Sequence, residues 1–336
     1  MKMNKWMKLG AICLTTVLVL AGCAQAESTD TAETVAKEEV RTYTIGVTQI
    51  VEHPALDAAR DGFVEGLKES GFDGNVKFVN ENAQGDMATA QIIAQGFVDN
   101  DVDMIYAIAT PTAQAAYNAT KEIPIMISAV TDPVASGLAE SSDLPGTNVS
   151  GTSDEAPIDL QLALLKDLGI SPNTIGFIYN TSEKNSEIQL EILKVETEKL
   201  GWSVKALGIT SLTEIEQGID VLLDDVDVLY TPTDNMVASA IQLVANKALQ
   251  KQVPVLAAEP SHVEGGALAT CGVDYFALGK QTGIMASKVL NGEEISTLPI
   301  EKAKNPEITI NKATADALGL TLADALVEKS NIVGVE

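Results

Sequence analysis

Apolar residues fall along this chain in two alternating rhythms. Short runs, Tyr43 to Val47, Val76 to Val79, Asp103 to Ile108 and Pro124 to Val130, are largely apolar, as the buried strands of a parallel sheet are. Between them lie longer segments with apolar residues three and four apart. One begins at Pro54, carries Leu56, Ala59, Phe63, Val64 and Leu67 at helical spacing to about Ser70, and stops at Gly71. Segments 86–98 and 112–120 also read as helices. After the Gly- and Ser-rich stretch Gly146-Thr147-Asn148-Val149-Ser150-Gly151-Thr152 the alternation starts again. It runs through helix 157–168, strand 174–179, helix 184–200, strand 202–207, helix 212–223, strand 227–230, helix 235–249 and strand 254–258. A strand at 267–270, a helix at 275–290 closed by Asn291-Gly292, and a short strand and helix within 306–320 follow. The pattern predicts an α/β protein built on doubly wound parallel sheets.

The second half copies the first. Asp101-Val102-Asp103-Met104-Ile105-Tyr106 leads, three residues later, into Thr110-Pro111-Thr112; Asp225-Val226-Asp227-Val228-Leu229-Tyr230 leads directly into Thr231-Pro232-Thr233. Thr44-Ile45-Gly46 recurs as Thr174-Ile175-Gly176, Gly71-Phe72 as Gly201-Trp202, and Lys121-Glu122-Ile123-Pro124 as Lys251-Gln252-Val253-Pro254, all at an offset of 130 residues. Three matches at one offset and in one order point to two lobes on a single topology, with loops absorbing the small slips between them. The expected division is a first lobe of residues 42–150 with 274–292 and a second of 151–273 with 293–330. The Gly146 to Thr152 stretch is expected to be the first hinge crossing.

The leader changes the picture of where this protein works. Lys2, Lys5 and Lys8 precede the apolar run Leu9 to Leu20, and Leu20-Ala21-Gly22 precedes Cys23. The run is too short to span a bilayer, and its flanks are those of a cleaved export signal over residues 1–22. Small residues ahead of a Cys resemble the bacterial lipobox. That resemblance implies a diacylglyceryl group on the Cys23 thiol, cleavage before it, and a protein held by acyl chains at the extracytoplasmic face of the cell membrane. Residues 23–41 are mostly Ala, Glu, Ser, Thr, Asp and Lys, with little to bury, and read as a flexible tether.

Charge and cysteine content remove several classes of function. The formal net charge is −25, and the first 22 residues hold three Lys and no acid, so their removal makes it more negative still. No basic cluster follows Lys8, which disfavours nucleic acid as a partner. Cys271 is the only cysteine beyond the leader and Cys23, so core packing rather than a disulfide must hold the fold; it reads as a buried, inert thiol. There is no Gly-x-Ser-x-Gly elbow, phosphate-binding loop or dinucleotide fingerprint, and with only two His neither a triad nor a metal site is expected. An enzyme and a cofactor are therefore not expected.

In open parallel sheets, ligands sit beyond the carboxyl ends of the strands. The first half places Thr48, Gln49, His53, Thr110, Thr131 and Asp132 there. The second places Tyr179, Asn180, Asn185, Thr233, Asp234, Asn235 and Glu259, and Asp274 stands at the last crossing. No Lys or Arg stands at these ends, so a small polar or zwitterionic ligand fits better than a phosphorylated one. Thr131-Asp132-Pro133 and Thr233-Asp234-Asn235 are equally good helix caps, Tyr179 equally a packed strand residue, and His262 reads as a surface-loop residue.

One family shares these features. Ile45-Gly46-Val47-Thr48-Gln49 with His53-Pro54-Ala55-Leu56-Asp57, the Gly146 to Gly151 stretch, Gly272-Val273-Asp274-Tyr275, and Ile308-Thr309-Ile310-Asn311 with Ala317-Leu318-Gly319-Leu320 resemble the ABC-transporter substrate-binding family that contains the tryptophan-binding TrpX-type proteins. The resemblance implies a type I periplasmic-binding-protein fold, three crossings between lobes, and a ligand enclosed in the cleft. It implies a lipoprotein, acting as a monomer, that captures an amino acid, preferably tryptophan, phenylalanine or tyrosine, and presents it to an ABC permease. By the same resemblance the ligand carboxylate falls to Thr110 and Thr131, and the ammonium to Glu259, Asp234 or Asp274. Tyr179 and His53 would flank an aromatic side chain. A sugar or nucleoside suits the same polar residues, and a lipoprotein presenting its ligand to a sensor kinase is the other reading.

Overall fold

The computed structural model describes residues 41–335; the leader, Cys23 and the tether up to residue 40 lie outside them. The first lobe holds β1 (Tyr43–Gln49), α1 (Pro54–Leu67), β2 (Val76–Asn82), α2 (Met87–Asp99), β3 (Met104–Ile108), α3 (Thr110–Ala119), β4 (Ile125–Val130) and β5 (Val149–Ser153). The second begins with α4 (Ile158–Asp167), β6 (Thr174–Asn180), α5 (Lys184–Lys199), β7 (Ser203–Ile209) and α6 (Leu212–Leu223). It continues with β8 (Val228–Thr231), α7 (Asn235–Ser239), α8 (Ile241–Gln250), β9 (Val255–Ala257), α9 (Pro260–Glu264) and β10 (Ala269–Gly272). Then α10 (Tyr275–Leu290) and β11 (Glu301–Lys302) return to the first lobe, and β12 (Glu307–Asn311), α11 (Lys312–Ala317), α12 (Asp324–Val327) and β13 (Ser330–Val333) complete the second.

The strands form two sheets, β2-β1-β3-β4-β5-β11 and β7-β6-β8-β9-β10-β12-β13. All pairings are parallel except β10 with β12. The first five positions of both sheets follow the same 2-1-3-4-5 order, so the sequence repeat is a repeat of topology. Matching residues do matching work. Asp103 Oδ2 accepts from Thr44 N at 2.8 Å, and Asp227 Oδ2 accepts from Thr174 N at 3.0 Å, each tying the start of one strand to the next. Tyr106 and Tyr230 are both fully buried; one stacks on Phe63 at 3.8 Å between ring centroids, the other on Phe177 at 5.7 Å. Burial of such rings is the main stabilising term in each lobe.

Three differences from the sequence reading bear on the site. The Gly146 to Thr152 stretch is not a crossing: most of it forms β5, paired with β4 and β11, and the chain leaves the first lobe only after Ser153. Gly151 is there for close approach, since a Cβ would lie 2.2 Å from Ile127 O, and its φ is +140°. Residues 295–302 also run along the first lobe, with Ser150 Oγ donating to Leu298 O at 2.8 Å. The helix expected over 235–249 breaks into α7 and α8 at Ala240, where Ser239 Oγ donates back to Asn235 O at 2.8 Å and bends the chain.

The crossings are thus 154–157, 273–274 and 303–306. Beyond the second, α10 lies parallel to α1 at backbone contact. A Cβ on Gly279 would sit 1.9 Å from Ala59 O, and one on Gly62 would sit 2.1 Å from Phe276 O. The two helices pack backbone to backbone, and their amino ends carry His53 and Tyr275.

Candidate functional site

The carboxyl ends of the two sheets meet around a small cavity. His53, Leu56 and Ala129 line it from the first lobe, Thr233, Asp234, Asn235, Ala238 and Glu259 from the second, and Asp154 and Tyr275 from the crossings. The lobes touch directly beside it. Thr131 Oγ1 lies 3.2 Å from Thr233 Oγ1, Gln189 Nε2 donates to both hydroxyls, and His53 Nε2 lies 3.3 Å from Asn235 Oδ1. The cleft is closed.

The acids of the second-lobe wall are densely hydrogen-bonded, although Asn185 Oδ1 behind them is buried without a partner. Asp234 caps α7 through Val237 N at 3.0 Å, and its other oxygen accepts from Asn180 N and Ser186 Oγ, both at 2.6 Å. Glu183 accepts from the side-chain amides of Asn180, Asn185 and Asn235 and from the backbone of Asn235 and Met236. Burial raises the pKa of both acids, with the Asp234 charge adding to the effect on Glu183. Gln189 Oε1 accepts from Thr233 N at 3.2 Å.

The first lobe and the crossing are different. Thr48 Oγ1, Thr110 Oγ1, His53 Nδ1 and Asp154 Oδ1 are all buried with no hydrogen-bond partner. Thr110 follows Ala109, whose φ of +84° and ψ of 153° suit glycine, and Ala129 has φ +56°. Strain of this kind, about 1–3 kcal/mol per residue, gathers at ligand clamps. Asp154 Oδ2 accepts from the Tyr275 hydroxyl at 2.7 Å, and burial pushes its carboxyl up to about 6. Burial also lowers His53, which favours its neutral form. Burial would raise Glu259, but the charge and contact of His262, helped by His53, outweigh it and hold the carboxyl at about 2. His262 Nε2 lies 2.9 Å from Glu259 Oε1, off the axis of a good hydrogen bond, and Ser261 Oγ donates to the same oxygen at 2.8 Å.

Of the residues expected at the strand ends, His53, Thr233, Asp234, Asn235 and Glu259 line the cavity. Thr131 bridges the lobes beside it, Asn180 and Asn185 support the wall, and Thr48 and Thr110 hold unpartnered hydroxyls at the ends of neighbouring strands. Four stand elsewhere. Gln49 is engaged by Asp57 and Arg60, Asp132 caps Val134 N and Ala135 N, and Tyr179 leans on Phe177 at 5.7 Å beside Gly208 of β7. Asp274 is exposed and caps α10 through Ala277 N at 3.1 Å. His262, expected on the surface, is fully buried, because the short helix α9 folds its ring inward to Thr231 Oγ1 at 3.0 Å. Cys271 is buried, and burial raises its thiol pKa.

Sequence reasoning missed Asp154, Tyr275, Glu183 and Gln189. The first two were recoverable from the crossings: Asp154 is the first residue after β5, and would have stood out had that strand been recognised.

Comparison with known proteins agrees with this architecture. A family model described as ABC transporter substrate binding protein matches residues 44–333. A tyrosine-binding protein of Clostridioides difficile (strain R20291) is 45% identical over 307 residues, 90% of this chain and 89% of that one. The crystal structure of an ABC domain in complex with L-Trp from Streptococcus pneumoniae is 34% identical and superimposes with a TM-score of 0.84, covering 87% of this chain and 100% of that one. A ligand-free, open substrate-binding protein with adhesive properties from Clostridium difficile is 47% identical but superimposes at only 0.69, over 88% of this chain and 100% of that one. The lower score at higher identity fits a closed cleft here, which the interlobe hydrogen bonds show directly. The two lobes form a type I periplasmic-binding-protein fold, and the chain belongs to the family of ABC transporter substrate-binding proteins.

Proposed function

We propose that this protein captures an aromatic amino acid outside the cytoplasm and delivers it, chemically unchanged, to an ABC permease. The proposal rests on the charge lining the cavity: Asp154, Asp234 and Glu259 face it, and no Lys or Arg does. A ligand ammonium brings the opposite charge to this acidic lining, which an uncharged sugar or nucleoside does not. The ligand carboxylate would meet the unpartnered Thr110 hydroxyl and the amide groups at the amino end of α3. The tyrosine-binding relative and the tryptophan-bound structure support an aromatic side chain, and we assign His53, on the cavity wall, to the face of its ring. Closure over the ligand would then report occupancy to the permease.

A thermal-unfolding screen with amino acids, sugars and nucleosides tests this. Tyrosine, tryptophan or phenylalanine should stabilise the protein most, by about 2.7 kcal/mol at 100 times the dissociation constant. Stabilisation by sugars or nucleosides alone overturns the reading.

Among the described residues no helix is long and apolar enough to cross a membrane. We propose that acyl chains on Cys23 hold the protein at the extracytoplasmic face, each buried methylene contributing about 0.8 kcal/mol. Cys23→Ser should move the protein from the membrane fraction to the soluble one; retention through an alkaline wash refutes the anchor.

A further inference from the structure

We infer that Asp154, in the first crossing between the lobes, is the residue that receives the ligand's ammonium group and makes the site selective for amines. The inference rests on the amino-acid reading above and assigns a role to a residue outside the strand-end set.

Three carboxylates line the cavity, and their surroundings rank them. Asp234 already accepts three hydrogen bonds from its own lobe and serves as the cap of α7. Glu259 has the Ser261 hydroxyl and the His262 ring against it. Asp154 has a single donor, the Tyr275 hydroxyl, on Oδ2; its Oδ1 is buried and unpartnered in a side chain only 3% exposed. A buried carboxylate oxygen with no donor is left desolvated without compensation, a cost that a ligand N–H would remove. An ammonium group offers three such donors and the opposite charge. The other ionisable groups lining the cavity are His53, Glu259, Asp234 and Tyr275, so no Lys or Arg competes for Asp154 there.

The position of Asp154 adds a second argument. Its backbone N–H donates to Val130 O at 3.3 Å, and the preceding Ser153 Oγ donates to Thr131 O at 2.8 Å, so the crossing is pinned to the end of β4. Tyr275 opens α10, which is locked to α1. An ammonium on Asp154 therefore binds where two of the three crossings are tied together, and a ligand lacking the amine leaves that tie without its third member.

Calorimetry on the full chain with L-tyrosine, L-tryptophan and their desamino propionate analogues tests this. The wild-type protein should prefer each amino acid over its desamino analogue by at least about 100-fold, as sites built around a ligand hydrogen bond do. Asp154→Asn should lose about 100-fold in amino-acid affinity while its affinity for the desamino analogues changes little, so that the preference collapses. Its ligand-free melting temperature should not fall, because the isosteric amide still accepts from Tyr275. Should Asp154→Asn fail to fold, Tyr275→Phe carries the test: affinity lost for the amino acids alone supports the assignment, and equal loss for both ligand types overturns it. An Asp154→Asn protein that keeps the wild-type preference overturns the assignment and leaves the amino-acid reading standing. A wild-type protein that binds no amino acid overturns that reading, and this assignment with it.

Discussion

The two lobes share a strand order but treat the same tripeptide in opposite ways. Thr110-Pro111-Thr112 opens α3 directly after the strained Ala109, and Thr110 Oγ1 is buried with no partner. Thr231-Pro232-Thr233 instead ends β8. There Thr231 Oγ1 shares a hydrogen bond with His262 Nδ1 at 3.0 Å, and Thr233 Oγ1 takes a bond from Gln189. The contrast extends across each wall. Thr48, His53, Thr110 and Asp154 on the first lobe and the crossing each keep an unpartnered polar atom, and the second lobe has its own in Asn185 and His262, but its acids Asp234 and Glu183 accept several bonds each. In the second lobe the acids facing the cleft are held by donors of their own lobe. The first lobe is one that a ligand completes, and this division lets one face stay rigid while the other gains most from binding.

The largest effect that would break this contrast falls on the second-lobe wall. Asp234→Ala strands the Asn180 and Val237 N–H groups and the Ser186 hydroxyl and removes the cap of α7. Ligand-free stability should fall by about 3 kcal/mol, measured by urea unfolding. A loss below about 1 kcal/mol would show that these donors find other partners and that the wall is not preorganised.

Much of this was legible before the structure, and the limits have physical causes. Hydrophobic rhythm located most of the longer helices and strands to within a few residues, because buried strands and one-sided helices leave periodic marks, but it missed β5, α9, β11, α12 and β13. The offset of 130 residues located the repeat. What periodicity cannot see is close approach: Gly151 looks like a linker residue, yet it is there because β5 presses against Ile127, and the misplaced crossing hid Asp154. Nor does a motif carry its own partners. The duplicated Thr-Pro-Thr looked like one site made twice, but Ala107, Ile108 and Ala109 lengthen the step in the first lobe and move the tripeptide from strand end to helix start. His262 left no signal at all, since a five-residue helix has too few positions to display a buried face.

The corresponding threonines give the finest test of the difference. Thr110→Val keeps the shape of the side chain and removes a hydroxyl that has no partner in the ligand-free protein. Ligand-free stability should therefore hold or rise by up to about 1 kcal/mol, while amino-acid affinity falls about tenfold, or about 1.4 kcal/mol. Thr231→Val should do the reverse. It leaves His262 Nδ1 buried without a partner, so ligand-free stability should drop by about 1–2 kcal/mol, with little direct change in affinity because the Thr231 hydroxyl is already engaged by His262. Urea unfolding and calorimetry on the two variants separate four numbers, and the sign of each is fixed in advance. If Thr110→Val destabilises the ligand-free protein as much as Thr231→Val does, the hydroxyl of Thr110 is satisfied without ligand. The first lobe would then be as well partnered as the second, and ligand affinity would have to come from closure rather than from unpaired groups waiting at the end of β3.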